Sequence, residues 1–71
     1  DLAAGIHVTE RLRQVIARHP VVLEDEREVS VTISFGIAAA HPGLDGAALI
    51  SAADRALYAA KAAGRNRVVP A

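Results

Sequence analysis

The apolar residues recur with two different periods along the chain, and the change of period marks out its elements. Val8, Leu12, Val15 and Ile16 follow helical spacing and share one face, with His7, Arg11, Gln14 and Arg18 opposite. This predicts a helix from Asp1 to His19. The Asp1 carboxylate can accept from the free amides of the first turn, and Pro20 stops the helix, because the residue before a proline avoids the α region. Gly5 is a weak point, costing about 1 kcal/mol against Ala. Val21-Val22-Leu23 is a short β-prone run. Glu24-Asp25-Glu26-Arg27-Glu28 is too charged to be buried and reads as a hairpin loop. From Val29 to Ala39 the period falls to two: Val29, Val31, Ile33, Phe35 and Ile37 point one way, and Ser30, Thr32, Ser34, Gly36 and Ala38 the other. The bulky face can take a helix layer. The small face can meet water, a ligand or a closely packed segment, and Gly36 suggests a bulge or a close backbone approach.

His41-Pro42-Gly43-Leu44 is rich in turn formers. Asp45 then caps a second helix, predicted to run to about Ala63, with Leu49, Ala53, Ala56, Leu57 and Ala60 as its packing stripe. A stripe this rich in alanine lets a neighbouring layer sit very close. Gly64 suits the left-handed C′ position. Asn66 to Val69 is a short strand candidate that Pro70 ends. The order helix, hairpin, helix, strand is half of an α/β (α+β) sandwich. Both helices can cover one sheet face, while the other face and at least one strand edge need partners this chain does not hold.

The chain has 71 residues, enough for one small domain with a thin core. Eight basic residues balance eight acidic ones, which excludes an arm that binds by phosphate neutralisation alone. Hydrophobic residues make up 52%, too many for a disordered segment. No apolar run approaches the roughly 20 residues that cross a bilayer. The absence of Cys removes disulfides, thiol catalysis and Cys-ligated zinc. The absence of Met suggests a piece of a larger protein.

Candidate chemistry concentrates on the second helix. At 100° per residue, Asp54, Tyr58, Lys61 and Arg65 fall within a wedge of about 60°. A lysine and an arginine one turn apart can hold a polyphosphate, the ammonium as a point charge and the guanidinium as a bidentate fork. The same pattern also fits a solvated helix face carrying an Asp54–Tyr58–Lys61 network. The acidic cluster Glu24, Asp25, Glu26 and Glu28 sits in a loop and does not read as a metal site. His7, His19 and His41 share no spacing with a carboxylate and read as surface residues. The serines lack a nucleophile elbow and a nearby base.

The string ADRALYAAKAAGRNRV, Ala53 to Val68, resembles the C-terminal hallmark of GGDEF domains, A-D-x-A-L-Y-x-A-K-x-x-G-R-N, at every fixed position. Upstream, VTISFGIA (Val31 to Ala38) is similar to the family strand V-T-x-S-x-G-x-A, and ERLRQVIA (Glu10 to Ala17) resembles the helix after the GGDEF hairpin. The resemblance spans essentially the whole chain. It implies a partial nucleotidyl-cyclase or palm-like (ferredoxin-like) sandwich lacking its N-terminal strands. The implied parent is a diguanylate cyclase: two facing domains, each holding one GTP, yield cyclic di-GMP and pyrophosphate with Mg²⁺ or Mn²⁺. It implies terminal-phosphate contacts for Lys61 and Arg65. Asp54 and Tyr58 would be structural, orienting Lys61 or bracing the helix, and Asn66 would help close the helix end.

The departures are as informative. The GG[DE]EF loop, the first strand with its metal-binding Asp, the guanine-reading Asn and Asp, and the Arg-x-x-Asp inhibitory site are all absent. No catalytic residue and no metal ligand is expected in this chain, and the isolated polypeptide is expected to make no cyclic di-GMP. The alternative is a degenerate GGDEF domain serving as a nucleotide-sensing or dimerisation module. Nucleic-acid binding through Lys61, Arg65 and Arg67 lacks both charge and a stacking platform. A cytoplasmic domain without direct membrane contact is implied by the use of GTP, whether or not the parent is membrane-anchored. With the first strand missing, an open edge on Val31 to Ala38 is expected to favour dimerisation, strand exchange or partial disorder.

Overall fold

In the computed structural model, which describes residues 1–71, the chain forms two helices and four short strands. Helix α1 covers Leu2–Arg18, and the Asp1 carboxylate accepts from the Ala4 N–H at 2.7 Å. Strands β1 (Val21–Val22) and β2 (Glu28–Val29) form an antiparallel hairpin with Val21 opposite Val29. Its loop closes where the Leu23 N–H donates to the Arg27 carbonyl at 2.8 Å and the Glu26 N–H to the Leu23 carbonyl at 2.9 Å. Arg27 also pairs with Asp25 at 2.5 Å, so part of the loop's charge is neutralised locally. Strand β3 (Phe35–Ile37) leads through helix α2 (Gly46–Ala62) to β4 (Val68–Pro70), which lies parallel to β3 with Phe35 opposite Val68 and Ile37 opposite Pro70. This is a βαβ unit, the connection that parallel neighbours require. No helix is long and apolar enough to cross a membrane.

Asp45 caps α2 as its sequence suggests, accepting from the Ala48 N–H at 2.7 Å. The alanine stripe is the core. Ala56 and Ala60 are the two buried residues, and Leu49, Ala53 and Leu57 beside them are half-buried. At the other end of α2, the Gly64 N–H donates to the Lys61 carbonyl at 3.3 Å and the Arg65 N–H to the Ala60 carbonyl at 2.9 Å. With Gly64 at φ +121°, this is a Schellman closure, satisfying carbonyls that the helix would leave without donors.

The layering departs from the expectation that both helices share one sheet face. A Cβ built on Gly36 would lie 2.3 Å from the Ala53 carbonyl oxygen and 2.3 Å from the Leu57 nitrogen, so the small face of β3 lies directly under α2. The next residue points the other way: Ile37 Cδ1 would stand 3.1 Å from a Cβ on Gly5 of α1. The helices therefore lie on opposite faces of the β3–β4 pair. The small face is the one that meets a closely packed segment, because only residues without bulk let a helix backbone touch a strand.

Two further expectations need correction. Of the stripe Val8, Leu12, Val15 and Ile16, the first three are 64%, 50% and 54% exposed and only Ile16 is half-buried. The face of α1 that packs carries Leu2, Ile6, Thr9 and Arg13, all half-buried, and is centred more than a quarter-turn away, with Ile16 at its edge. The single strand expected over Val29–Ala39 is split. Residues 30–34 have no ladder partner, since β1 offers pairing only to β2 and β4 only to β3. Hence the molecule measures 51 × 22 × 20 Å, with a hairpin that shares no sheet with the α2 unit. The last strand starts at Val68 and not at Asn66, because Asn66 holds φ +48° and is not extended.

Candidate functional site

Lys61 lies in the last turn of α2, and its charge complements the negative end of the helix dipole. A polyphosphate approaching that same end meets unfavourable carbonyl dipoles, so the attraction must come from side-chain cations. Arg65 is the second one. The helix projection that placed it on the Asp54–Tyr58–Lys61 stripe does not reach it, because α2 ends at Ala62 and Arg65 follows the left-handed Gly64 with φ +63°. What brings Arg65 back beside the helix end is its own backbone, whose N–H donates to the Ala60 carbonyl one residue before Lys61.

Both cations are exposed and unpaired. The ion pairs of the structure are Arg13 with Glu10 and Arg27 with Asp25, and neither involves Lys61 or Arg65. Asp54 and Tyr58 are exposed as well, Tyr58 by 75%, and neither makes a side-chain hydrogen bond to Lys61 or to the other. The surface network considered for this stripe does not form. The fold encloses no pocket, so the candidate site is an open corner of the molecule. No three His, Cys, Asp or Glu side chains converge, and the hairpin carboxylates do not form a metal cradle.

Asn66 does not close the helix with its amide. Its Oδ1 accepts from an Arg13 guanidinium nitrogen at 2.8 Å, its carbonyl accepts from the same nitrogen at 3.4 Å, and its N–H donates to Ser34 Oγ at 3.0 Å. Arg13 is in turn held by both oxygens of Glu10, with Nε to Oε2 at 2.9 Å. Hydrogen bonding by Arg13, ahead of a smaller one from Gln14, holds the Glu10 carboxyl below the usual carboxylate range, and Glu10 correspondingly raises the guanidinium's hold on its proton. Arg13 and Ser34 were not singled out by spacing. The available signal was a Glu10/Arg13 pair three residues apart on the same face as Leu2 and Ile6, an ionic pair where apolar residues pack.

A sequence profile described as "Diguanylate cyclase, GGDEF domain" matches residues 1–67. The chain belongs to the GGDEF family. Its similarity to the response regulator PleD of Caulobacter vibrioides is 41% identity over 70 residues, covering 96% of this chain and 15% of PleD. Similarity to the diguanylate cyclase DgcP of Pseudomonas aeruginosa is 45% over 68 residues, covering 96% of this chain and 10% of DgcP. Among solved structures, the GGDEF domain of DgcB from Caulobacter crescentus, crystallised in complex with c-di-GMP, superposes with a TM-score of 0.92 at 29% identity. That superposition covers 99% of this chain and 42% of the DgcB chain. The arrangement of α1, the βαβ unit and the turn after α2 is thus that of a GGDEF domain, seen over a minor part of each relative's length.

Proposed function

We propose that residues 1–71 are the C-terminal portion of a GGDEF domain and supply its grip on the terminal phosphates of GTP through Lys61 and Arg65. The parent domain then condenses two GTP into cyclic di-GMP and pyrophosphate, working against a second GGDEF domain in the cytoplasm. The observation that carries this reading is the pair of exposed cations, free of any internal acid, at one helix end. An ammonium and a guanidinium that satisfied each other's neighbours would be surface decoration. Left unpaired at a dipole end that repels anions, they are the source of attraction for a phosphate chain.

Asp54 and Tyr58 take a structural role on α2 in this reading, one that does not run through a hydrogen bond to Lys61, and Asn66 orders the turn that carries Arg65. A divalent ion such as Mg²⁺ or Mn²⁺ would supply charge stabilisation at the reacting phosphate. The residues described here do not offer a ligand set for it, and no step is assigned to it.

Pyrophosphate and GTP titrated against the chain, followed by NMR shifts, test the phosphate reading. Binding in the millimolar range, about 4 kcal/mol, is expected. Lys61→Ala and Arg65→Ala should each weaken it about tenfold, the value of one charge-assisted contact. Affinities unchanged in both variants would refute the assignment.

A further inference from the structure

Gly64, Arg65 and Asn66 hold positive φ in succession, at +121°, +63° and +48°. Glycine adopts this region freely and asparagine tolerates it, but arginine pays a steric penalty there. Such a conformation persists where its surroundings over-determine it. The surroundings here come from three directions. The Arg65 N–H is tied to the Ala60 carbonyl of α2, and the Arg65 carbonyl accepts from Arg67 Nε at 3.0 Å. The Asn66 N–H is tied to Ser34, immediately before β3. The Asn66 side chain and carbonyl are tied to Arg13 of α1. Arg13 spends Nε and one terminal nitrogen on Glu10 and the other terminal nitrogen on Asn66, so it acts as a strut between α1 and the turn. Its side chain is only 17% exposed, which holds that strut in one geometry.

We propose that Arg13 and Ser34 are positioning residues for phosphate binding: by holding Asn66 from both sides they fix the left-handed turn that decides where Arg65 presents its guanidinium. This rests on the phosphate reading of Lys61 and Arg65. Neither Arg13 nor Ser34 touches the ligand in this scheme. They act on it through Asn66, and Glu10 acts one step further back by orienting Arg13.

The test uses the 71-residue chain with inorganic pyrophosphate as the probe. Arg13→Gln, Ser34→Ala and Asn66→Gly are compared with Lys61→Ala and Arg65→Ala. Asn66→Gly keeps a residue at ease with positive φ while removing the Oδ1 acceptor, so it probes the strut even if Arg13→Gln does not fold. Two quantities are read: the pyrophosphate Kd, and the three-bond HN–Hα coupling of residues 65 and 66, which reports φ. Arg13→Gln, Ser34→Ala and Asn66→Gly should each weaken pyrophosphate by roughly three- to tenfold, with the residue-65 coupling moving away from its left-handed value. Arg13→Lys, which keeps one donor for Asn66, should recover part of the loss. A role confined to stability would lower the melting temperature and leave the Kd of the folded fraction unchanged. A Kd within twofold of the unsubstituted chain in Asn66→Gly and Ser34→Ala, while Lys61→Ala and Arg65→Ala lose binding, overturns the positioning role and leaves the phosphate reading intact. Normal binding by Lys61→Ala and Arg65→Ala overturns the phosphate reading and the positioning role with it.

Discussion

Gly36→Ala is the substitution on which the layer geometry can be judged. The added Cβ would lie 2.3 Å from the Ala53 oxygen, 2.3 Å from the Leu57 nitrogen and 2.8 Å from Leu57 Cα, whereas ordinary contact begins near 3.4 Å. Every one of these is a main-chain atom of α2 and cannot rotate away, so the helix must retreat from β3 by about 1 Å. Overpacking usually costs about 1–3 kcal/mol, and a clash with rigid backbone belongs at the upper end, about 3 kcal/mol. Retreat also opens the seam around Ala56 and Ala60, the only buried residues of the molecule. A single small core rarely supplies more than about 3–5 kcal/mol in total, so this one methyl group removes most of it. Urea unfolding followed by far-UV circular dichroism reads the effect. At about 1 kcal/mol per M for so small a domain, the midpoint falls by about 3 M and the folded baseline shrinks or vanishes. Gly46→Ala is the control: a Cβ there meets nothing within 4 Å, at the first position of α2, and should raise stability by about 0.5–1 kcal/mol. Gly5→Ala should fall between the two, since its Cβ meets only the rotatable end of Ile37 at 3.1 Å. A Gly36→Ala midpoint as high as that of Gly46→Ala would show that α2 does not rest on the β3 backbone.

Two other expectations follow from local geometry. Asp45→Ala removes the side-chain acceptor of the Ala48 N–H and should cost about 1 kcal/mol, read as a lower urea midpoint that Asp45→Asn largely restores. Glu10 is held below its ordinary carboxylate range by Arg13, so its contribution is complete above that ordinary range and is lost as pH falls through the depressed native value. Unfolding midpoints measured at a series of acidic pH values should decline less in Glu10→Gln than in the unsubstituted chain, and parallel declines would show that the Glu10–Arg13 contact contributes nothing.

Local signals were readable where a residue's chemistry alone decides the outcome. Asp1 and Asp45 cap their helices, Gly64 closes α2, and the alanine stripe from Ala53 to Ala60 packs, because each of these depends on neighbours within one or two helical turns. The charged run after Leu23 turns the hairpin for the same reason, although its last residue, Glu28, already lies in β2 opposite Val22. What periodicity could not supply was the direction of packing. Of the stripe with the right spacing, Val8, Leu12 and Val15 face solvent and only Ile16 packs, while Arg13, a charged residue, faces inward to meet Asn66 far along the chain. Extended character over Val29 to Ala39 was legible, but a ladder needs a second strand, and only Phe35–Ile37 finds one in β4. At the candidate site, the residue types were legible from the G-R-N string. The placement of Arg65 was not, since helical projection fails one residue beyond Ala63, where the chain turns left-handed.

At its closest approach the seam between α2 and β3 is glycine against main-chain atoms, with the buried residues of α2 both alanine, and this has a consequence for how the molecule softens. Alanine and glycine possess no side-chain rotamers, so closing this contact forfeits almost no side-chain entropy and leaves no alternative packing to drift into. Warming therefore loosens the hairpin first, since it shares no sheet with the βαβ unit, while that unit stays in register until it lets go as a whole. The corner bearing Lys61 and Arg65 is mounted on the last part of the fold to melt.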